Sequence, residues 1–397
     1  MTTHKNFATQ AVHAGGDVPP PTGRPISPPI YPAVTYVYDE MEDLSAALHE
    51  NRGYSYSRYS SPTVAALEKA VAALEGAEDA VAYASGMGAL HGVLAQVGIT
   101  RDRPVVAAQN VYGATFTLLK KMFGGSGALH FVEITDREAI QAAIEQYRPC
   151  AVVLETISNP LLKIPDIPQI VDWAHAQEAI VIVDNTFATP YLCRPIEHGA
   201  DIVVHSATKY LGGHGDVLAG VVVARTEADA IALHNTRKLL GANLSPFDAY
   251  LALRGLRTLG VRLPQQNANA QAIAQWLAQH RRVAQVHYSG LPQHPDYATA
   301  QRIFRAGNFG AMLAFDIRDA GRVEVFAVME KLRIIQRIAS LGDVATLASY
   351  PAHASHRALT PAQRAVLGIG DGCVRLSVGI EDPEDLIADL EQALAIG

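Results

Sequence analysis

Cysteine is scarce in this chain of 397 residues: Cys150, Cys193 and Cys373 stand alone and far apart, with no Cys-x-x-Cys pair. An odd number at that spacing argues against a disulfide framework and against a cysteine zinc site, and points to a reducing, cytoplasmic setting. A basic excess is also missing. Thirty-two Lys+Arg against 39 Asp+Glu leave a formal net charge of −7, so neither nucleic acid nor an anionic membrane surface is an expected partner. No stretch reaches the roughly 18 uninterrupted apolar residues of a membrane span, and "MTTHKNFATQAVHAGGD" has no signal-peptide core. Histidine is plentiful, yet His353 and His356 in "PAHASHR" lack an HExxH pattern and a third carboxylate ligand, so no metal is expected. There is no internal repeat, and no low-complexity tract beyond an N-terminal proline cluster.

What is present is apolar. At 49% hydrophobic residues the chain can bury a large core and should divide into more than one layer or domain. Residues 1–60 include "GGDVPPPTGRPISPPIYP", too rich in proline and glycine for helix or central strand, and read as an arm leaning on a second subunit. Ser61 and Pro62 then open a helix as cap and first-turn residue, and Gly76 ends it. From there strand and helix signals alternate: "AVAYAS", "PVVAAQ", "ALHFVEI", "CAVVLET", "AIVIVDN" and "ADIVVHS" are short apolar runs separated by patterns such as "IPQIVDWAHAQ". Such runs predict a mostly parallel sheet sandwiched by helices, an α/β domain over 61–255. Beyond it, a long helix-like segment and the strands "AQVHYSG", "GAMLAFDI" and "CVRLSVG" predict an α+β domain over 256–397.

In a parallel sheet ligands gather at the carboxyl ends of the strands, here Ser85 and Gly86, Tyr112, Asn159, Asp184 and Ser206 to Lys209. Lys209 alone reads first as a solvated surface charge. Its company changes that reading: Ser206 and Thr208 supply hydroxyls suited to phosphate, and Gly212, Gly213 and Gly215 allow close backbone approach. A lysine beside a phosphate site suggests a Schiff base with pyridoxal phosphate. Asp184 is either a turn residue or a carboxylate that keeps the pyridine nitrogen protonated. "YASGMGALHGV" is either an ordinary glycine-rich connection or a phosphate-binding helix start. Tyr112 also fits as core filling. Arg375, inside an apolar strand, should be paired or bound to a carboxylate ligand.

Together these stretches carry a resemblance. "YSYSRYSSPT", "ASGMGA", "VYGATF", "ETISNP", "VDNTFATP", "HSATKYLGGHGD", "SPFDAYLALRGLRTL", "SLGDVATLASYPA" and "VRLSVGIEDPEDLIADL" are similar, in order, to blocks of the Cys/Met metabolism family of pyridoxal phosphate enzymes. The resemblance covers nearly the whole chain and implies a fold-type I subunit, active as a homodimer and assembled as a homotetramer. It implies Lys209 as the Schiff-base lysine, Gly86, Met87, Ser206 and Thr208 as the phosphate cradle, Tyr112 as the stacked ring and Asp184 as the pyridine partner. It further implies Asn159 as an O3′ contact, Tyr56 and Arg58 as residues reaching the neighbour's phosphate, and Ser340 and Arg375 as anchors of the substrate carboxylate.

The implied activity is γ-elimination of a methionine-like or other γ-substituted amino acid to 2-oxobutanoate, ammonia and a leaving group. Lys209 acts as proton shuttle and Tyr112 as acid for the leaving group. Ala339 stands where the cystathionine enzymes of the family carry glutamate, and "SLGDVATLASYPA" is closest to the methionine γ-lyase pattern. Ala114, Arg237 and Lys238 depart from that pattern, which leaves room for homocysteine, cysteine, an O-substituted homoserine or canavanine. The alternatives are γ-replacement, as in an O-acylhomoserine sulfhydrylase or cystathionine γ-synthase, a cystathionine γ-lyase, and an inactive binding or scaffold relative.

Overall fold

Ser61 is extended and its hydroxyl accepts a hydrogen bond from Val64 N, Pro62 lies in the first turn, and Gly76 closes the helix Pro62–Glu75 at φ 79°. Those are the cap, first-turn and stop roles that the residues are built for. The computed structural model describes residue 23 and residues 25–49, 52–125, 127–357 and 359–395. Part of the expected arm, residues 1–22, 24, 50 and 51, lies outside them. Its described part holds the helix Met41–His49 and an isolated antiparallel bridge from Thr35 to Tyr56.

A seven-stranded sheet follows, made of β1 (Asp79–Tyr83), β2 (Val105–Ala108), β3 (Leu129–Val132), β4 (Ala151–Glu155), β5 (Ile180–Asp184), β6 (Ile202–Ser206) and β7 (Gly220–Ala224). Their order is β1-β7-β6-β5-β4-β2-β3. All pairings are parallel except those of β7, which runs antiparallel to both β1 and β6. Neighbouring residues of one strand enter opposite cores. Val181 and Val183 join Leu67, Ile140 and Ile170 on one face, whereas Ile182 joins Leu90, Val93 and Leu94 on the other. Burial on both faces is why these strands read as unbroken apolar runs.

A five-stranded sheet contains β8 (Val283–His287), β9 (Met312–Ile317), β10 (Gln336–Arg337), β11 (Leu347–Ser349) and β12 (Cys373–Ser377), in the order β10-β11-β12-β9-β8. It is antiparallel apart from β10 with β11. The helix Leu259–Leu277 carries Pro264 inside it and, with the closing helix Pro383–Leu394, buries its apolar side chains against this sheet. β7, β10, β11 and the helix Arg137–Tyr147 are absent from the sequence expectation. Among the described residues no helix is long and apolar enough to cross a membrane, and no group of three metal-ligating side chains occurs.

Candidate functional site

Lys209 sits in a tight turn at the end of β6. Its N–H donates to Ser206 O at 3.1 Å, and its carbonyl accepts from Gly213 N at 2.8 Å. Gly342 presses against this turn at φ 81°, where a Cβ would overlap Tyr210 N and lie 2.8 Å from Lys209 C. The Lys209 Nζ donates to Ser340 Oγ at 2.9 Å. Burial, reinforced by the nearby Arg375 guanidinium, holds the Lys209 ammonium below its usual pKa, which favours the neutral amine.

Arg375 projects from β12 and is only 5% exposed. Its Nη1 donates to Asn159 Oδ1 at 2.9 Å and its Nη2 to the Ser340 carbonyl at 3.1 Å, while Nε has no partner among the described residues. Burial lowers its pKa to about 10. A buried cation held by neutral oxygens and left with an unused donor is prepared for an anion.

Tyr112 follows β2, is 44% exposed, and its N–H donates to Glu155 Oε1 at 2.6 Å. Its phenol lies close enough to Arg375 to bias that guanidinium. Asp184 ends β5, where its Oδ1 accepts from Thr186 N at 2.9 Å, and burial raises its pKa. Thr186 Oγ1 in turn accepts from Ser206 N at 2.8 Å, tying the ends of β5 and β6 together. Glu155 and Thr186 were not singled out as site residues above. The signal was available for Glu155, since an acid closing an apolar strand is what drew attention to Asp184.

Gly86 and Met87 begin the helix Gly86–Val97, capped by Ser85, whose hydroxyl accepts from Gly88 N at 3.0 Å. The first amides of a helix have no intrahelical partner. Gly86 is packed so closely on the end of β6 that a Cβ would come within 2.8 Å of Ser206 Cβ. Gly220, opening β7 between those two turns, has no room for a side chain either, since its Cβ would lie 2.8 Å from Gly86 N. The Thr208 hydroxyl bonds both Ala219 O and Ala219 N, at 3.2 and 3.0 Å.

Tyr56 and Arg58 stand apart from this cluster. The Arg58 guanidinium lies over the rings of Tyr56 and Tyr59 and donates to the Lys238 carbonyl at 3.4 Å. Arg237 faces the interior, where it donates to Glu68 Oε1 at 2.7 Å and to the Tyr59 carbonyl at 2.6 Å. Lys238 remains at the surface with its ammonium over Tyr59.

Comparison with known proteins agrees with this geometry. The family model described as Cys/Met metabolism PLP-dependent enzyme matches residues 8–395. L-methionine gamma-lyase of Pseudomonas putida is 42% identical over 394 residues, covering 98% of this chain and 97% of its own. Cystathionine beta-lyase of Lactococcus lactis subsp. cremoris (strain MG1363) is 39% identical, covering 98% and 99%. Among solved structures, cystathionine gamma synthase from Xanthomonas oryzae pv. oryzae in complex with cystathionine superposes with a TM-score of 0.87, at 39% identity, over 99% of this chain and 98% of that one. A lysine and a strand-tip aspartate on one sheet, a buried arginine from the other sheet brought beside that lysine, and a match along nearly the whole length place this chain in the Cys/Met metabolism family of pyridoxal phosphate-dependent enzymes.

Proposed function

We propose that the protein is a γ-eliminating lyase that converts a methionine-like or other γ-substituted amino acid to 2-oxobutanoate, ammonia and the leaving group. The observation that carries the reading is the Lys209 amine held by Ser340 beside the buried, acid-free guanidinium of Arg375. The residues present fit the cofactor. Gly86 and Ser206 meet in a cradle that a single Cβ would fill, and the depressed pKa of Lys209 favours a nucleophilic amine.

Lys209 would hold pyridoxal phosphate through its amine, Gly86, Met87, Ser206 and Thr208 would receive the phosphate, and Asp184 would face the pyridine nitrogen. Tyr112 would cover the ring and Asn159 would meet O3′. When bound, the cofactor supplies an electron sink for the α-carbon of the amino acid. Arg375 grips the substrate carboxylate through its planar fork, with Ser340 beside it. The Lys209 amine, directed by Ser340 Oγ, removes protons at Cα and then at Cβ. Tyr112 protonates the departing γ-group.

Ala339 is exposed and carries no charge, so a neutral γ-substituent is favoured over a second charged amino acid. The proposed organisation is an arm over 1–60, a cofactor-binding domain over 61–255 and a C-terminal domain over 256–397. Tyr56 and Arg58 of one subunit would serve the neighbouring subunit's phosphate, within a cytoplasmic homotetramer.

The test is 2-oxobutanoate release by the reconstituted enzyme from methionine, homocysteine, cystathionine, O-acetylhomoserine and canavanine, each with and without a thiol. Rapid oxo-acid release without thiol is expected, and the fastest substrate names the leaving group. Thioether formation from O-acetylhomoserine with little oxo acid would make the enzyme a γ-replacement synthase instead.

A further inference from the structure

Glu155 is an acidic side chain at the carboxyl end of the larger sheet to which neither cofactor nor substrate has been assigned. It ends β4, is almost wholly buried, and lies in register beside Asp184 of β5. Its Oε1 accepts from Tyr112 N at 2.6 Å, and the Asn159 backbone N–H also donates to its carboxyl group. One side chain therefore ties the turn after β2 to the loop after β4. We propose that Glu155 is a positioning residue that, through the backbones of Tyr112 and Asn159, holds the Tyr112 ring and the Asn159 side chain in register with the strand tip bearing Asp184.

The residues it fixes are those nearest the chemistry. Tyr112 N is on the backbone of the proposed leaving-group acid, and Asn159 Oδ1 accepts from Arg375 Nη1 at 2.9 Å. Burial and then the adjacent Asp184 push the Glu155 carboxyl well above the usual range. Both of its bonds are received by the carboxyl group, so what this position requires is a hydrogen-bond acceptor at that reach. A glutamine oxygen can reproduce that acceptor, whereas aspartate is one methylene short. The inference rests on the reading of Tyr112 and Asn159 given above.

The test compares E155Q, E155D and E155A as reconstituted holoenzymes, by the visible circular dichroism of the bound cofactor, cofactor Kd, and kcat and KM. E155Q is expected within about 3-fold of wild type in every parameter, while E155A and E155D lose about half or more of the visible signal and about 10-fold or more in kcat. In a Y112A background the part of the E155A loss that acts through the Tyr112 ring is already gone, so E155A should cost clearly less in kcat than it does in the wild type. If E155A does not fold, E155D carries the same comparison. Wild-type values in E155D or E155A, an E155Q as impaired as E155A, or additive losses in the double variant would each overturn the proposal. A wild-type protein with no cofactor band would refute the function proposed above, so the two readings fail separately.

Discussion

Arg375 combines a charge with a shape, and the two can be separated. Lysine at this position keeps the charge but loses the fork that matches a carboxylate. R375K is expected to raise KM about 10-fold or more, with a smaller change in kcat, in steady-state assays on the best substrate. His356 gives a second residue-level expectation. It is buried, its Nδ1 shares a 2.8 Å hydrogen bond with Ser355 Oγ, and burial, then Arg375 and Arg364, depress its pKa to about 4. The unfolded chain, with an ordinary histidine, binds more protons between about pH 4 and 6.5. Stability from this group is therefore complete above about pH 6.5 and is lost as pH falls toward 4, by about 3 kcal/mol. H356N should flatten that limb in urea unfolding measured at a series of pH values. Lys209, Asp184 and Arg375 were legible in the sequence because each is a charge set in or just after an apolar strand. Thr186 was not, because its part is a backbone-anchored hydroxyl reaching Ser206 N, and a threonine in a turn has no such mark.

At the level of elements, the loop that carries Ser340 is held by a glycine. Gly342 N donates to Ser377 Oγ at 2.8 Å, and its positive φ and its contact with the Lys209 turn both exclude a side chain. G342A should cost about 2 kcal/mol or more in stability. It should also weaken cofactor retention by parting Ser340 from Lys209, read as absorbance remaining after gel filtration. Elements with local markers were read nearly to their ends. The helix Pro62–Glu75 has its serine, proline and glycine in place, and β4, β5 and β6 are unbroken apolar runs. β7 was missed although it is wholly buried. It pairs antiparallel with β6, just before it in the chain, and with β1, far away in sequence, and that second pairing is one a local pattern cannot reveal. β10 and β11 are two and three residues long, too short for any periodicity to show.

For the whole molecule, the proposed exchange of Tyr56 and Arg58 between subunits predicts complementation. R58A and K209A homodimers are each expected to be inactive. In a mixed dimer, one site receives Lys209 from one chain and Arg58 from the other, so remixing the two variants should restore about a quarter of wild-type activity. Activity that stays at the level of the parents would place Arg58 in its own subunit's site. The site also joins the two sheets. Lys209 lies on the larger sheet, whereas Arg375, and the Ser377 hydroxyl that holds Gly342, arrive with β12. During synthesis the seven strands of the larger sheet are all available long before β12 leaves the ribosome. A nascent chain therefore gains the edge proposed to hold the cofactor first and its means of gripping a substrate last. Turnover waits on nearly complete translation, and a chain cut short before β12 keeps the lysine without the arginine that would give it work.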